Sequence, residues 1–190
     1  MGNIILKNIY KSFGEKEVLK DFSAEFPAGE CSGIMGKSGC GKSTMLNIIM
    51  SVLPQDKGDV LNVPEKIAAV FQEDRLCEDF SAYTNIRLVC PKEKKEEIIS
   101  AFERLGLGES IHKKVKELSG GMKRRVAIIR AVLSDWDLLI MDEPYKGLDE
   151  KTRKDVIDFV VGKTRGKTVI MVTHDEEDIK DMNGRKIDLW

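Results

Sequence analysis

At 190 residues, 42% of them hydrophobic and 33% charged, the chain is long enough to bury one sizeable core and has an ordinary globular composition. A formal net charge of -1 gives no global electrostatic reason to bind nucleic acid, and the basic clusters at 92–95 and 123–125 sit beside acids or on helical segments. No apolar run approaches the roughly 20 residues of a bilayer span, and the opening reads neither as a signal peptide nor, with Leu6 in place of Ser or Thr, as a myristoylation start.

Residues 4–9 and 18–26 are rich in β-formers, with Gly14 and Glu15 marking a tight connection between them. A turn over Pro27, Ala28, Gly29 and Glu30 leads into a short strand over 31–35. Residues 42–50 predict a helix with Met45, Leu46, Ile49 and Met50 on its apolar stripe, ended by Pro54. A buried strand is expected over 67–71. From Ser81 to about Leu133 the period becomes helical, through Ile98, Ile99, Phe102 and Leu105 and again through Met122, Val126, Ile129 and Leu133. A buried strand over 137–141, a helix carrying Val156, Ile157, Val160 and Val161, and a β-branched strand over 168–173 follow. A short acidic segment and a possible last strand over 186–190 close the pattern. Alternating helices and nearly all-apolar strands imply an α/β domain with a mostly parallel sheet covered on both faces. A single domain over 1–190 is expected, with a helical subdomain over 77–125 inserted in it.

Gly36, Lys37, Ser38, Gly39, Cys40, Gly41, Lys42 and Ser43 fit G-x-x-x-x-G-K-[ST], with Thr44 after them, between a strand and a helix. Glycines let successive N–H groups converge on phosphate oxygens, and the following helix adds its positive end. Lys42 is placed to reach the β- and γ-phosphates, and Ser43 to offer a hydroxyl to Mg²⁺. This motif says nucleotide and leaves the class of enzyme open. An apolar strand running into Asp142, Glu143 and Pro144 brings two carboxylates to the carboxyl edge of the sheet, where open parallel sheets bind ligand. There Asp142 serves the metal, and Glu143 is the base for a water attacking the γ-phosphoryl group. His174 follows a strand to the same edge, where a neutral imidazole orients the attacking water. Ser119, Gly120 and Gly121 open an amphipathic helix, with Ser119 a good N-cap and the glycines admitting an anion.

In that order, the phosphate loop, Gln72, Leu118-Ser119-Gly120-Gly121-Met122, the Asp142–Glu143 strand end, Gly147-Leu148-Asp149 and His174 closely resemble the nucleotide-binding domain of ABC transporters, across essentially the whole chain. The interval between Lys42 and Ser119 is far shorter than in coiled-coil chromosome and repair ATPases, and no N-K-x-D guanine-reading sequence is present. The resemblance implies the ABC ATPase fold: a P-loop sheet flanked by helices, with an N-terminal antiparallel β portion. It implies that Phe13 stacks on adenine and that Gln72 contacts Mg²⁺ and the attacking water. It further implies that Ser119, Gly120, Gly121 and Asp149 meet ATP held by a second subunit in a head-to-tail dimer, and that residues 76–87 face a membrane permease. The run after Gly121 is similar to bacterial importer ATPases of the nitrate, sulfonate and taurine group.

Lys37 stands where the family often has proline, and Met122 where glutamine is common. The chain stops soon after His174, so a minimal motor core without the usual further C-terminal helices is expected. The expected activity is ATP hydrolysis coupled to transport, at the cytoplasmic side of a membrane. An ABC-type ATPase serving a soluble process such as cofactor assembly is the alternative; a small-molecule kinase and a catalytically dead module fit less well. The four cysteines lack CxxC spacing and nearby histidines, so reduced thiols are expected rather than zinc or disulfides.

Overall fold

The computed structural model describes residues 2–188. β1 (Ile4–Phe13) pairs antiparallel with β2 (Lys16–Phe26) and with β4 (Lys57–Leu61), giving a three-stranded sheet of order β2-β1-β4. The second sheet is entirely parallel, in the order β5-β6-β7-β3-β8. Its strands are β3 (Cys31–Met35), β5 (Ile67–Val70), β6 (Leu138–Asp142), β7 (Thr168–Val172) and β8 (Arg185–Asp188).

Successive strand residues face opposite sides, so a strand covered on both faces must be apolar throughout. Residues 138–141 of β6 and 169–172 of β7 meet that requirement. Leu138, Ile140, Ile170 and Val172 pack with Met45, Leu46 and Ile49 of α1 (Lys42–Ile49) and with Ile4, Leu6 and Phe26 of the antiparallel sheet. Leu139, Met141, Val169 and Met171 face the opposite way, onto Val126 and Ile129 of α4 (Gly120–Leu133) and Val156 and Val160 of α5 (Glu150–Thr164). Each such side chain, fully buried, contributes about 1.5–3 kcal/mol relative to exposure. The core is therefore two apolar layers with the parallel sheet between them.

The segment expected as a helical insert holds α2 (Ala82–Arg87), α3 (Lys95–Arg104) and single helical turns at Lys92–Lys94, Gly108–Ser110 and Val115–Glu117. Ile98 and Phe102 are fully buried on one face of α3, and Ile99 is partly exposed beside them. α4 runs unbroken through residue 125, touching α2 and α3 as well as β5 and α5. α4 thus begins in that segment and ends against the sheet.

One expectation is corrected and two elements are added. α1 ends at Ile49, capped by Met50, with Ser51 left-handed at φ 55°; the chain has turned before Pro54. The acidic segment after His174 forms α6 (Glu176–Asp181), and β4 had no counterpart in the sequence reading. The last strand is β8; Leu189 and Trp190 lie outside the described residues.

Candidate active site

β3 delivers the chain into the glycine loop at the carboxyl edge of the parallel sheet. Gly39 at φ 77° and Gly41 at φ 105° take left-handed backbone conformations, and a Cβ on Gly41 would stand 2.9 Å from Cδ2 of Leu19. Only glycine lets the loop curl against β2 there. Lys42, 7% exposed, folds back over the loop, its ammonium donating to the carbonyls of Gly36 (2.7 Å) and Lys37 (2.9 Å). Its remaining contact is a long 3.9 Å approach to Sγ of Cys40, which a phosphate oxygen would readily displace.

β7 lies between β3 and β6, so the residues leaving β6 and β7 reach the same edge as the loop. The Ser43 hydroxyl donates to Oδ2 of Asp142 at 2.9 Å, bringing two hard oxygen ligands together. Glu143 sits in a left-handed conformation at φ 49°, with its backbone N–H donating to the Val172 carbonyl at 2.9 Å. That conformation is costly for a side chain other than glycine and persists only where the surroundings impose it. Here it turns the carboxyl toward His174, whose Nε2 lies 3.1 Å from Oε1. The approach is close enough for an ion pair and forms no hydrogen bond. Oε1 therefore finds no hydrogen-bond donor among the described residues, although it is buried. Burial pushes the Glu143 carboxyl above the usual carboxylate range; His174 opposes the shift and the Asp142 charge adds to it. A buried acceptor of raised basicity is what a base for water requires.

A cavity of about 320 Å³ joins these parts. The loop contributes Ser38, Gly39, Gly41, Lys42, Ser43 and Thr44, and the sheet edge contributes Gln72, Asp142, Glu143 and His174. Gly36, Lys37 and Cys40 belong to the loop without lining the cavity; the first two supply carbonyls to Lys42, and the Lys37 side chain is exposed. Phe13 ends β1 half-exposed, with Nζ of Lys11 5.7 Å from its ring. Lys16, Val18 and Lys146 also line the cavity, and nothing in the motifs singled them out.

Ser119, Gly120, Gly121 and Asp149 lie outside the cavity. Ser119 caps α4, accepting from the Met122 N–H at 3.3 Å, and Asp149 caps α5, accepting from the Thr152 N–H at 3.0 Å. The two starts adjoin: a Cβ on Gly121 would stand 3.8 Å from Cδ2 of Leu148, while one on Gly120 would meet nothing within 4 Å. In the single chain this glycine-rich start faces solvent.

Arg124 is the residue that sequence reading passed over. It appeared there only as part of a basic cluster, yet it is 5% exposed and donates to the carbonyls of Asp142, Glu143 and Pro144 behind the site. The available signal was its helical spacing to Ile128 and Ala131, which puts a charge on the buried stripe of α4.

A glycine loop between a parallel strand and a helix, with an acidic pair ending the next strand but one, defines a P-loop nucleotide-binding protein. Within that class the chain belongs to the ABC transporter family, whose model matches residues 19–146. It is 34% identical to the methionine import ATP-binding protein of Clostridioides difficile strain 630, over 96% of this chain and 64% of that protein. It is 35% identical to an aliphatic sulfonates import ATP-binding protein of Pseudomonas savastanoi pv. phaseolicola, over 90% of this chain and 67% of that one. The chain thus spans about two thirds of the length of these curated relatives. The solved dimeric structure of a bacterial ABC transporter cassette superposes with a TM-score of 0.86 at 31% identity, covering 98% of this chain and 94% of that one. The fold is the ABC ATPase fold, as the motif order implied.

Proposed function

We propose that this chain binds and hydrolyses MgATP as the nucleotide-binding subunit of an ABC-type importer, driving substrate uptake by a membrane permease partner. The observation that carries the reading is Glu143, which lines the cavity together with Lys42 and the Ser43–Asp142 pair and whose buried Oε1 has no hydrogen-bond donor among the described residues.

The oxygen pair of Ser43 and Asp142 fits a magnesium ion, which is held by one or two protein oxygens together with substrate phosphates. Among the described residues no cluster of three or more His, Cys, Asp or Glu side chains is arranged to hold a metal unaided, so the nucleotide would supply the other ligands. When bound, the ion neutralises charge on the phosphate oxygens. Lys42 adds a fixed positive charge over the same oxygens. Glu143 accepts a proton from water as its oxygen attacks the γ-phosphorus; the bond to the β–γ bridging oxygen breaks, and ADP and phosphate leave. Gln72 and His174 flank Glu143 and orient that water. Phe13 offers a half-exposed face for the adenine ring.

The exposed start of α4 supports pairing with a second copy or a homologous ATPase, each Ser119-Gly120-Gly121 segment and Asp149 meeting ATP held by the other. The solved cassette with which this chain superposes is a dimer. Working with a permease as a nucleotide-binding subunit, the chain is placed peripherally on the cytoplasmic face; no helix among the described residues is long and apolar enough to cross a membrane. Import is the direction named for the methionine and sulfonate relatives.

The decisive test is Glu143→Gln. It should bind MgATP with parent affinity by calorimetry and release phosphate about a hundredfold more slowly, the scale of a lost general base. Hydrolysis at the parent rate would remove Glu143 from the mechanism. Mass spectrometry of the gently extracted complex checks the permease, which should be present in it.

A further inference from the structure

Within the proposed ATPase, on which this inference rests, we propose that Arg124 is a positioning residue: its guanidinium sets the backbone of Glu143 and locks it to the segment that carries Gln72. Arg124 has five N–H donors, and each has an acceptor. Nε donates to the Pro144 carbonyl at 2.7 Å, and Nη2 donates to the carbonyls of Asp142 (3.0 Å) and Glu143 (2.6 Å). Nη1 donates to Oδ1 of Asp74 at 3.2 Å and to the Phe71 carbonyl.

Two features make this more than a stabilising contact. First, the acceptors are three consecutive carbonyls where β6 leaves the sheet, at the point where Glu143 adopts φ 49°. Carbonyls that have left the strand ladder need donors from elsewhere, and a left-handed non-glycine residue needs its surroundings to hold it. Arg124 provides both. Second, the other edge of the same planar fork grips Phe71 and Asp74, on either side of Gln72. One rigid group thereby fixes the spacing between the base and the glutamine segment across the cavity. A lysine could not do so, because one ammonium presents three donors around a point rather than five along a plane.

The placement is also costly unless it serves something. The guanidinium is buried, and among the described residues Asp74 is the one carboxylate that pairs with it. The remaining partners are backbone dipoles. An apolar residue would continue the stripe of Ala127, Ile128 and Ala131 without that desolvation. Arg124 also lies one helical turn beyond Ser119-Gly120-Gly121 on the same rod, so the end of α4 that faces outward and the base that faces inward are rigidly connected.

The test is Arg124→Lys in the full chain, with MgATP affinity read by calorimetry, kcat and KM by phosphate release, and folding by thermal melting. Affinity and KM should stay within about twofold of the parent while kcat falls about tenfold or more, the scale expected when a reacting group is slightly misplaced. Combined with Glu143→Gln, the substitution should add no further loss, because it acts through the group already removed. Parent kcat in Arg124→Lys, a loss confined to KM, or full additivity in the double variant would each overturn the assignment. Should Arg124→Lys fail to fold, Asp74→Asn keeps the arginine and weakens one of its five contacts. There kcat should drop about threefold at constant KM, and the parent rate would overturn the proposal. A parent protein that does not hydrolyse MgATP refutes the functional reading itself, whereas an active parent with an indifferent Arg124→Lys refutes only the role of the arginine.

Discussion

The start of α1 and the start of α4 use one device, glycines at a helix N-terminus whose unpaired N–H groups suit an anion, yet their surroundings differ. Around α1 the chain supplies everything else itself: a buried lysine, a hydroxyl–carboxylate pair and a carboxyl with an unmet acceptor. Around α4 it supplies a cap and a neighbouring loop, and beyond Gly120 there is open space. The first start is a site within one chain. In the proposed dimer the second is half of a site, completed when another molecule arrives. Equivalent substitutions at the two starts should therefore behave differently.

The largest effect is expected at Gly41. Gly41→Ala places a side chain at φ 105° and 2.9 Å from Leu19, so it combines backbone strain of about 1–3 kcal/mol with a clash against β2. Melting temperature and MgATP affinity should fall together, and an unchanged affinity would break the equation of this loop with the phosphate cradle. Lys42→Ala comes next. It removes a charged donor worth about 1.5–3 kcal/mol to a phosphate oxygen, so calorimetry should show affinity weakened about ten- to a hundredfold.

Gly120→Ala is the counterpart at α4. A Cβ there meets nothing in the isolated chain, and alanine in a helix is favoured by about 0.5–1 kcal/mol, so the melting temperature should hold or rise slightly. MgATP affinity should also hold. Hydrolysis should fall, because the added methyl stands where the partner's nucleotide approaches. If hydrolysis survives unchanged and stays proportional to chain concentration on dilution, the half-site reading fails.

The same contrast explains what could be read from the sequence. Local chemistry was legible: the loop from Gly36 to Thr44, the acids after β6 and the histidine after β7 each carry their meaning in consecutive residues. So were the strands buried on both faces, because residues 138–141 of β6 and 169–172 of β7 are apolar without interruption. β4 was not, since an edge strand reading Lys-Gly-Asp-Val-Leu buries none of its residues fully and gives no apolar run. α6 was hidden for a related reason. Its six residues are mostly acidic, and it is anchored by Asp178, buried against Arg153 and Thr173 from elsewhere in the chain. The turn after α1 depends on a left-handed Ser51, which composition does not announce. Arg124 escaped because four of its five acceptors are backbone carbonyls brought from 18 to 53 residues away, and carbonyls have no sequence signature.

The smallest expected effect tests the loop beside α4, where Asp149 has two possible duties, capping α5 and meeting a second subunit. Its carboxyl is held below the usual value, chiefly by the hydrogen bond from the Thr152 N–H. A carboxyl whose folded pKa lies below its unfolded one stabilises the fold above the unfolded pKa. That contribution fades as pH falls through the folded pKa. Asp149→Asn keeps a capping oxygen and removes the charge. Its melting temperature should sit slightly below the parent at neutral pH, and the difference should close in acid, where the parent's carboxyl is protonated as well. A gap that persists unchanged into acid would show that the charge contributes nothing through the cap. If hydrolysis at neutral pH falls much further than that small stability change accounts for, the excess measures what Asp149 does across the interface rather than within its own helix.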